Sequence, residues 1–386
     1  MRRDGATDRL ANDHRLPARH WRAFCFQVSF MTQILSIERQ AKSVLLGADA
    51  SAEQAIVRLL DGRDLDPDAS TQLFAEIVEG RLSEPLMAAA FVALRVKGET
   101  SDELIGAAKA LRAAAVPFPS PETLFADSCG TGGDFSGSIN VSTAAGIVAA
   151  ACGLPIVKHG NRAFTSKCGS ADVLEALGAK LDLSPQRSRR MLGETGFCFL
   201  LAPLYHPGIA HAGPVRRALK VRTIMNLLGP CLNPARPSVQ LLGVADPKLL
   251  RPIAQTLQSL GVTRALVVHG SGLDEIALHG PTQALLLSNE VISEVEITPE
   301  QAGLNRHPIE RITGGSPYEN AERLAALLEG RGTEADTSVV AINAGALLMT
   351  AGKASDLREG TALAQDAISF GTAQRLLRDF IEASNG

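Results

Sequence analysis

Between residues 32 and 115 the apolar positions recur every three to four residues, as at Leu86, Ala90 and Leu94. This period is typical of amphipathic helices that turn one face to a core. Four segments begin with Ser or Asp, which are preferred at helix N-caps, and three of the four end at glycine. The pattern predicts a small helical domain. The expected caps are Ser51, Asp68, Ser83 and Ser101.

From residue 120 onward, short apolar runs alternate with helical patterns. Five segments are predicted as strands: LFADSC, LPIVKH, FCFLLAP, SVQLLGV and RALVVHG. Stretches such as STAAGIVAAACG and PKLLRPIAQTLQSLG between them are predicted as helices. This alternation is typical of parallel strands joined by helices. We therefore predict an α/β domain over 120–386 with a mostly parallel central sheet flanked by helices, irregular β structure at 281–312 and helices at 316–384.

The start of the chain differs in character from the rest. The first 30 residues hold six arginines and three aspartates, and they lack the continuous apolar core of a secretory signal. An organelle transit peptide would be poor in acidic residues, which Asp4, Asp8 and Asp13 contradict. We interpret residues 1–31 as an extension that is either disordered or not translated, with Met31 as the true start.

Composition and charge exclude several classes of protein. The formal net charge is −3, without the basic stripe of a protein that coats a polyanion, so we predict no nucleic-acid partner. No apolar run reaches the roughly 20 residues that span a bilayer, so we predict no membrane partner. The six cysteines are scattered, without CxxC pairs or zinc spacing, which indicates a reduced, cytoplasmic setting.

A glycine-rich loop, GTGGD at residues 130–134, follows a predicted strand and precedes the segment NVST at a predicted helix start. Glycines let backbone N–H groups approach an anion, and a helix N-terminus adds a favourable dipole. The loop lacks the GKS/T ending of a Walker A motif and the spacing of a dinucleotide fingerprint. We predict a phosphate site here, and an ordinary turn with a Ser/Thr cap is the alternative.

A basic loop, KHGNRAFTSKCGS at residues 158–170, follows the next predicted strand and carries Lys158, Arg162 and Lys167 among neutral donors. Charge-assisted hydrogen bonds from such groups suit phosphate or pyrophosphate oxygens. A solvated basic loop is the alternative, and a lone histidine such as His159 is more often structural than catalytic. Two phosphate-friendly loops in a βαβ-like frame predict a ligand with more than one phosphate.

Two further segments carry charges that suit a ligand. Asp274 and Glu275 follow the strand RALVVHG, where carboxylates suit Mg²⁺, although such a pair in a turn is usually solvated. In the segment 213–235, Arg216 or Arg217 is expected to bind a carboxylate through bidentate hydrogen bonds, while the other faces water. We assign no covalent nucleophile and no general acid or base.

Together these motifs resemble those of anthranilate phosphoribosyltransferase. The resemblance rests on GTGGD, the following NxST, KHGNR, GSADVLEALG, PVRR, RTIxNLLGPxxNPA and the strand–DE–HGPT segment, in the family's order and spacing over about 350 residues. Each motif is weak alone, whereas the set is highly specific. The resemblance implies an enzyme of tryptophan biosynthesis. It would transfer the 5-phosphoribosyl group from 5-phosphoribosyl 1-diphosphate to the amine of anthranilate and release pyrophosphate.

The resemblance also implies a fold, a metal and an oligomeric state. The fold would be that of the nucleoside phosphorylase-like class II phosphoribosyltransferases. A small helical domain, over 32–115 and completed by about 203–225, would lie beside the larger α/β domain. The enzyme would be a homodimer with two Mg²⁺ ions per subunit and an active site in the cleft between the domains.

The family's motifs also imply the site residues. Those expected around the ribosyl diphosphate are Gly130, Gly133, Asp134, Ser138, Asn140, Val141, Ser142, Thr143, Lys158, His159, Gly160, Asn161, Arg162, Ala163, Phe164, Thr165, Ser166 and Ser170. Those expected to position anthranilate are Gly130, Asn161 and Arg216, with Arg216 facing its carboxylate. Those expected to hold magnesium are Ser142, Asp274 and Glu275.

Four positions depart from the family pattern: Phe135, Ser138, Ile139 and Met225. Phe135 stands where glycine is common and is expected to narrow or stiffen the loop, whereas Ser138 stands where threonine is common and keeps the hydroxyl.

Two rival interpretations share the fold. A pyrimidine nucleoside phosphorylase would need a set of base-recognition residues unlike KHGN with Arg216. A non-catalytic nucleic-acid-binding paralogue is disfavoured by the retained Arg216 and Asn161 and by the acidic balance.

Overall fold

The computed structural model describes residues 50–163 and 167–386, all of which lie in one compact unit. The predicted extension of residues 1–31, the first part of the predicted helical region up to residue 49, and Phe164, Thr165 and Ser166 lie outside the described residues. None of the helices in the described ranges is long and apolar enough to cross a membrane.

The N-terminal part of the described chain is helical, as predicted. Its helices are α1 (Ala50–Leu60), α2 (Pro67–Val78), α3 (Glu84–Lys97) and α4 (Ser101–Ala113). Ser83 is the N-cap of α3, but the caps predicted at Ser51, Asp68 and Ser101 are wrong, since each lies inside its helix.

The caps of α2 and α4 lie one or two residues earlier than predicted. Asp66 caps α2 and accepts a hydrogen bond from the Ala69 amide, and the Thr100 hydroxyl accepts one from the Glu103 amide at the start of α4. Pro67 explains the shift in α2, because proline fits the first helical position, where its missing N–H costs nothing. The residue before it then becomes the cap.

A seven-stranded sheet forms the centre of the larger part. Its strands are β1 (Ala126–Gly130), β2 (Ile156–Gly160), β3 (Phe197–Leu201), β4 (Val239–Gly243), β5 (Arg264–His269), β6 (Thr282–Ser288) and β7 (Val291–Ile297). The strand order is β3-β2-β1-β4-β5-β6-β7. The first five strands are parallel and the last two antiparallel, which confirms the mostly parallel sheet. The β structure expected at 281–312 is more regular than predicted, because β6 and β7 form a hairpin.

Helices cover the sheet and fill the rest of the larger part. They are α5 (Val141–Ala151), α6 (Ser170–Ala176), α7 (Pro185–Thr195), α8 (Ala202–Tyr205), α9 (Gly213–Leu219), α10 (Ile224–Leu228), α11 (Leu250–Ser259), α12 (Pro317–Leu328), α13 (Glu334–Thr350), α14 (Leu357–Ser369) and α15 (Thr372–Asn385). The small residues of α5, VSTAAGIVAAA, let α13 pack closely against it, and both helices are mostly buried. The prediction of an α/β fold with a neighbouring helical part is confirmed.

The segment 202–228 returns from the sheet to the N-terminal helices. After β3 the chain forms α8, a 3-10 turn (Pro207–Ala212), α9 and α10. The 3-10 turn packs against α2, α9 packs against α3, and α10 packs against α3 and α4. Gly208 lies so close to the Val78 carbonyl that a side chain there would collide with it. These short helices therefore lie between the N-terminal helices and the sheet.

Glu103 is a fully buried carboxylate that joins α4 to the preceding helices. It accepts hydrogen bonds from the Leu65 amide at 3.1 Å and the Thr100 amide at 2.9 Å. The Lys97 ammonium lies 3.0 Å from its Oε2. Lys97 also lies 2.7 Å from the exposed Asp64 carboxylate, so loss of Glu103 would leave the ammonium with one charged partner and the two amides with none.

Glu103→Ala should lower the free energy of unfolding by about 2–4 kcal/mol, because the Leu65 and Thr100 amides lose their acceptor and Lys97 loses one of its two carboxylate partners. Urea denaturation followed by circular dichroism measures the change. The control is Glu84→Ala, which removes an exposed carboxylate from the first turn of α3 and should cost about 1 kcal/mol or less. Equal losses in the two variants would contradict the role of Glu103.

Candidate active site

A cavity of about 700 Å³ opens at the carboxyl ends of the parallel strands, where α/β sheets bind their ligands. It is lined by every described residue that the sequence predicts for the site. These are Gly130, Gly133, Asp134, Ser138, Asn140, Val141, Ser142, Thr143, Lys158, His159, Gly160, Asn161, Arg162, Ala163, Ser170, Arg216, Asp274 and Glu275. The other three predicted residues, 164–166, lie outside the described ranges.

The glycine turn, residues 130–134, connects β1 to α5 and lies against Asp274. The Gly132 amide donates a hydrogen bond to Asp274 Oδ2 at 2.6 Å, and a side chain at Gly130 would overlap the same carboxylate. Gly132 and Gly133 have φ values of +67° and +76°, a left-handed conformation that glycine adopts without strain. The turn therefore places its backbone along the cavity wall, as a phosphate site requires.

Phe135 follows the glycine turn in an unusual backbone conformation. Its φ is +57°, and its side chain is 83% exposed. This conformation costs a residue with a Cβ roughly 1–2 kcal/mol, which is a physical reason for glycine to be common at this position. Phe135 lines the cavity, with most of its side chain exposed to solvent. Ser138, further along the loop, pairs with Thr313 in an isolated β-bridge and so fixes the end of the loop.

The N-terminus of α5 meets a carboxylate and an ammonium. Glu275 Oε1 accepts a hydrogen bond from the Ser142 amide at 3.1 Å, and the Lys158 ammonium donates to the Ser142 hydroxyl at 3.2 Å. Asn140, the N-cap residue of α5, makes no capping hydrogen bond through its side chain. Its amide instead donates to the Cys168 carbonyl at 3.3 Å and so links the two loops. The start of α5 is thus held by charged groups from β2 and from the segment after β5.

Lys158 is a buried cation at the end of β2. Its ammonium also donates a hydrogen bond to the Ser128 carbonyl. Burial raises the pKa of Asp127 to about 6, against the opposing effects of Lys158 and of a hydrogen bond from the Asn233 amide at 2.9 Å. Asn233 also donates to the Val157 carbonyl at 2.8 Å and so joins β1 to β2. The Ser128 carbonyl and the nearby Asp127 carboxylate compensate the burial of the Lys158 ammonium, which would otherwise be costly.

Asp172 anchors the basic loop that follows β2. Its Oδ2 accepts hydrogen bonds from the Ala163 and Gly169 amides, both at 2.8 Å, and so fixes both sides of the loop. Arg162 lines the cavity, but its guanidinium forms an ion pair with Glu175 on α6 at 2.6 Å. The guanidinium of Arg162, which was predicted to bind phosphate, is therefore paired with a carboxylate of the protein itself.

Arg216 and two histidines form another wall of the cavity. Burial lowers the pKa of the Arg216 guanidinium, which belongs to α9 and lines the cavity. The rings of His159 and His206 pack edge to face, with centroids 5.1 Å apart. Burial lowers the pKa of His159 well below its usual value and that of His206 to about 4, so both rings are neutral at neutral pH. A partly buried cation in the same cavity as neutral rings suits an aromatic acid.

Three carboxylates lie at one end of the cavity. Burial, with the neighbouring Asp134, raises the pKa of Asp274 to about 7. Burial, with Asp274, raises the pKa of Glu275 well above its usual value, and Lys158 opposes this rise. Asp134 Oδ2 is buried and has no hydrogen-bond partner among the described residues. This excess of negative charge fits a hard divalent cation such as Mg²⁺, which takes oxygen ligands and shares phosphate oxygens.

Across residues 50–163 and 167–386, no group of three or more His, Cys, Asp or Glu side chains is already arranged around a metal position. Mg²⁺ commonly uses one or two carboxylates and completes its shell with water and substrate phosphates. The residues predicted to hold magnesium, Ser142, Asp274 and Glu275, offer two carboxylates and a hydroxyl, which fits a site of this kind.

Several residues that line the cavity were not predicted, among them the polar side chains His206, Arg222 and Asn226. Arg222 donates hydrogen bonds to the carbonyls of the glycine turn, and Asn226 Oδ1 accepts one from the Thr223 amide at 3.0 Å. Both belong to the motif RTIxNLLGP, so the signal was present in the sequence. The spacing of the motif alone does not show which of its polar residues face a cavity in the fold.

This architecture defines a class of transferases. A model of the glycosyl transferase family, a/b domain, matches residues 122–374, and a model of the helical bundle domain of the same family matches residues 53–115. The two matches correspond to the sheet-containing part and to the N-terminal helices. The cavity is lined in part by the segment 202–228, which packs against the N-terminal helices.

Curated relatives narrow the class. The anthranilate phosphoribosyltransferase of Sorangium cellulosum is 54% identical over 326 residues, which cover 84% of this chain and 94% of the relative. That of Pseudoalteromonas translucida is 47% identical over 355 residues, 91% of this chain and 100% of the relative. The chain therefore belongs to the anthranilate phosphoribosyltransferase family, as its motifs indicated.

Solved structures agree with this assignment. The anthranilate phosphoribosyltransferase from Thermus thermophilus superposes with a TM-score of 0.82 at 40% identity, covering 86% of this chain and 99% of that chain. The Saccharomyces cerevisiae enzyme in complex with PRPP and Mg gives 0.80 at 26% identity, covering 88% and 99%. The same yeast enzyme in complex with 4-fluoroanthranilate gives 0.78 at 26% identity, with the same coverage.

Mg²⁺ should raise the thermal unfolding midpoint more at about pH 8 than at about pH 6. The folded-state pKa of Asp274, about 7, lies above its ordinary value of 3.8. The protonated carboxyl therefore stabilises the metal-free fold at low pH, and this contribution is lost as the pH rises through about 7. A cation bound at Asp274, as predicted, would need the ionised carboxylate and so would compete with the proton. Differential scanning fluorimetry with and without MgCl₂ measures the shift.

The control for this prediction is Asp274→Asn, which keeps the shape of the side chain but cannot ionise. Its response to MgCl₂ should be smaller and should vary less with pH, apart from the remaining contribution of Glu275. A wild-type response of equal size at both pH values would contradict the link between cation binding and this carboxylate.

Proposed function

We propose that this protein transfers the 5-phosphoribosyl group from 5-phosphoribosyl 1-diphosphate to the amine of anthranilate. The products are N-(5-phosphoribosyl)anthranilate and pyrophosphate, and the reaction belongs to tryptophan biosynthesis. Relatives of this activity cover almost the whole described chain. The observation in the structure that supports it best is one cavity in which a glycine turn, a basic loop, an acidic cluster and a partly buried arginine meet.

The glycine turn and the basic loop bind the ribosyl diphosphate in this proposal. The described residues around it are Gly130, Gly133, Asp134, Ser138, Asn140, Val141, Ser142, Thr143, Lys158, His159, Gly160, Asn161, Arg162, Ala163 and Ser170. The Thr143 hydroxyl is buried and lacks a hydrogen-bond partner within the described ranges, which leaves it available to a ligand. The Lys158 ammonium, held by Ser128 and Ser142, supplies a fixed positive charge.

We propose that Ser142, Asp274 and Glu275 hold magnesium, with two ions per subunit. The yeast relative was solved in complex with PRPP and Mg, and the unbalanced carboxylates of this site fit the same type of ion. Bound magnesium stabilises the negative charge that develops on the departing pyrophosphate. The carboxylates fix the position of the ion, and Glu275 also orients the first turn of α5 through the Ser142 amide.

The chemistry requires positioning more than proton transfer. Cleavage of the bond from ribose C1 to pyrophosphate develops positive charge on the sugar and negative charge on the leaving group. The aromatic amine of anthranilate is neutral at pH 7, so the attack needs no strong base, and the sequence analysis assigned none. Correct alignment of the two substrates can contribute up to ~7–11 kcal/mol of the barrier reduction.

Arg216, Asn161 and Gly130 position anthranilate in this proposal. The partly buried guanidinium of Arg216 pairs with the carboxylate of the substrate, and such charge-assisted bonds are strong when desolvated. The neutral rings of His159 and His206 contribute an uncharged surface in the same cavity. The carboxylate and the reacting amine are thereby held in a defined orientation toward the sugar.

We further propose that residues 203–225 complete the helical domain, and that this domain closes over the sheet to exclude water from the activated sugar. The packing of the 3-10 turn and α9 against α2 and α3 supports this domain assignment. The protein is proposed to act as a homodimer in the cytoplasm. The five free cysteines of the described ranges fit a reducing compartment.

The direct test is formation of the fluorescent product from anthranilate and 5-phosphoribosyl 1-diphosphate, measured with and without MgCl₂. Turnover that depends on magnesium is the expected result. Phosphorolysis of thymidine without turnover of anthranilate would instead favour a nucleoside phosphorylase. Salt-dependent retention on DNA without any turnover would favour a nucleic-acid-binding paralogue. The relatives favour neither of these alternatives.

Arg216→Ala should raise the KM for anthranilate by about tenfold to a hundredfold, because a desolvated charge pair with the substrate is lost. The KM for 5-phosphoribosyl 1-diphosphate should change little. Steady-state kinetics with each substrate varied in turn measures both values. The matched control is Arg189→Ala on α7, outside the residues that line the cavity. An unchanged KM for anthranilate in the Arg216 variant would refute this assignment.

A further inference from the structure

Arg222 contacts the glycine turn through two of its carbonyls. Its Nη2 donates a hydrogen bond to the Gly132 carbonyl at 3.0 Å, and its Nη1 donates one to the Gly133 carbonyl at 3.3 Å. The Thr131 hydroxyl also reaches the Gly132 carbonyl at 3.3 Å. Within the described ranges, Arg222 is therefore the one side chain that binds the Gly133 carbonyl.

The guanidinium also packs directly on the turn. A Cβ atom at Gly133 would lie 2.8 Å from Arg222 Cζ and 3.0 Å from Nη1, closer than such atoms approach. The turn needs glycine here for two reasons, because φ is +76° and because the space of a side chain is occupied by the arginine. Arg222 and the glycine turn, 90 residues apart in sequence, therefore pack in close contact.

The position of Arg222 is itself fixed by the fold. Lys220 ends α9 with φ +52°, a left-handed conformation that reverses the chain after the helix. Thr223 is buried and is the N-cap of α10, whose residues Ile224 and Met225 are buried as well. Arg222 is therefore held between α9, which carries Arg216, and a helix that packs against α3 and α4.

Carbonyl contacts on one side of a turn determine where its amides point. In a planar trans peptide the carbonyl of one residue and the N–H of the next point to opposite sides. When Arg222 binds the carbonyls of Gly132 and Gly133, the amides of Gly133 and Asp134 are directed away from it. Among the described residues neither amide donates to a protein acceptor, whereas the Gly132 amide is occupied by Asp274. These two amides are suited to bind an anion.

We propose that Arg222 is a positioning residue that orients the Gly133 and Asp134 amides toward the diphosphate of the ribosyl donor. Two donors in a rigid fork hold both peptide groups, which an ammonium cannot do in the same geometry. The inference rests on the proposed function and adds to it a residue outside the predicted site. It also links the phosphate turn to the segment that carries Arg216, so both substrates are positioned from one stretch of chain.

The test compares Arg222→Gln and Arg222→Lys with wild type. Isothermal titration calorimetry with inorganic pyrophosphate and MgCl₂ measures the Kd, and steady-state kinetics gives both KM values. We expect the Kd for pyrophosphate and the KM for the ribosyl diphosphate to rise about tenfold to a hundredfold in the glutamine variant. The KM for anthranilate should stay within about twofold, and the lysine variant should lose affinity as well.

The thermal unfolding midpoint and a matched control separate positioning from stability. Arg251→Gln removes another arginine, one that pairs with the exposed Glu294, and should leave all the constants unchanged. Methylguanidine added to Arg222→Ala should restore pyrophosphate affinity, because it supplies the missing donors. An unchanged Kd in Arg222→Gln, wild-type behaviour of Arg222→Lys, or equal rises in both KM values with a large fall in the midpoint would overturn the inference. Absence of turnover in wild type would instead count against the proposed function.

Discussion

Parallel pairing of neighbouring strands in matched register is the constraint on which the site depends. Gly130 at the end of β1 pairs with Gly243 at the end of β4, which pairs with Val268 near the end of β5. The segments that follow these strands therefore begin at the same edge of the sheet. For this reason Asp274, which is far from the glycine turn in sequence, lies within hydrogen-bonding distance of the Gly132 amide. An antiparallel arrangement would send these segments to opposite edges.

The burial of charge at this edge is balanced only in part by the protein. Lys158 lies among Asp127, Glu275 and the first turn of α5, and it opposes the rise in pKa of both carboxylates. Asp134 and Asp274 add negative charge that this one ammonium does not neutralise, which contributes to the raised pKa of Asp274. A site of this kind gains stability when a cation and its anionic partner enter together. The magnesium-bound diphosphate proposed for this site would neutralise part of that unbalanced charge.

The short helices that follow β3 connect the two parts of the protein at the site. They pack against the N-terminal helices and at the same time carry Arg216 and Arg222 to the cavity. Arg222 touches the glycine turn, whereas Arg216 lies in the wall proposed for the aromatic acid. A shift of this segment relative to the sheet would therefore move both arginines, and with them the groups proposed to position the two substrates. Such coupling suits a reaction in which alignment provides much of the rate enhancement.

The sequence by itself determined the types of element, the family and many of the residues around the cavity. Apolar spacing and glycine loops are local signals, so α3, the parallel strands and the turn at 130–134 were predictable. Helix boundaries were harder to predict, because several residues near each helix start can serve as a cap. Pro67 places the start of α2 after Asp66, and the Thr100 hydroxyl caps α4 one residue earlier than predicted.

Only the tertiary structure decided the partners of the charged groups. Sequence shows Arg162 and Arg222 as two cations in basic segments, yet one pairs with Glu175 and the other binds carbonyls of the glycine turn. Likewise the Glu275 carboxylate, and not the side chain of Asn140, accepts a hydrogen bond from the Ser142 amide in the first turn of α5. These contacts join residues 13, 90 and 133 positions apart, and they form because strand register and helix packing bring the segments together. A local sequence pattern does not show which residues so far apart in the chain will meet. The edge of the folded sheet brings them together.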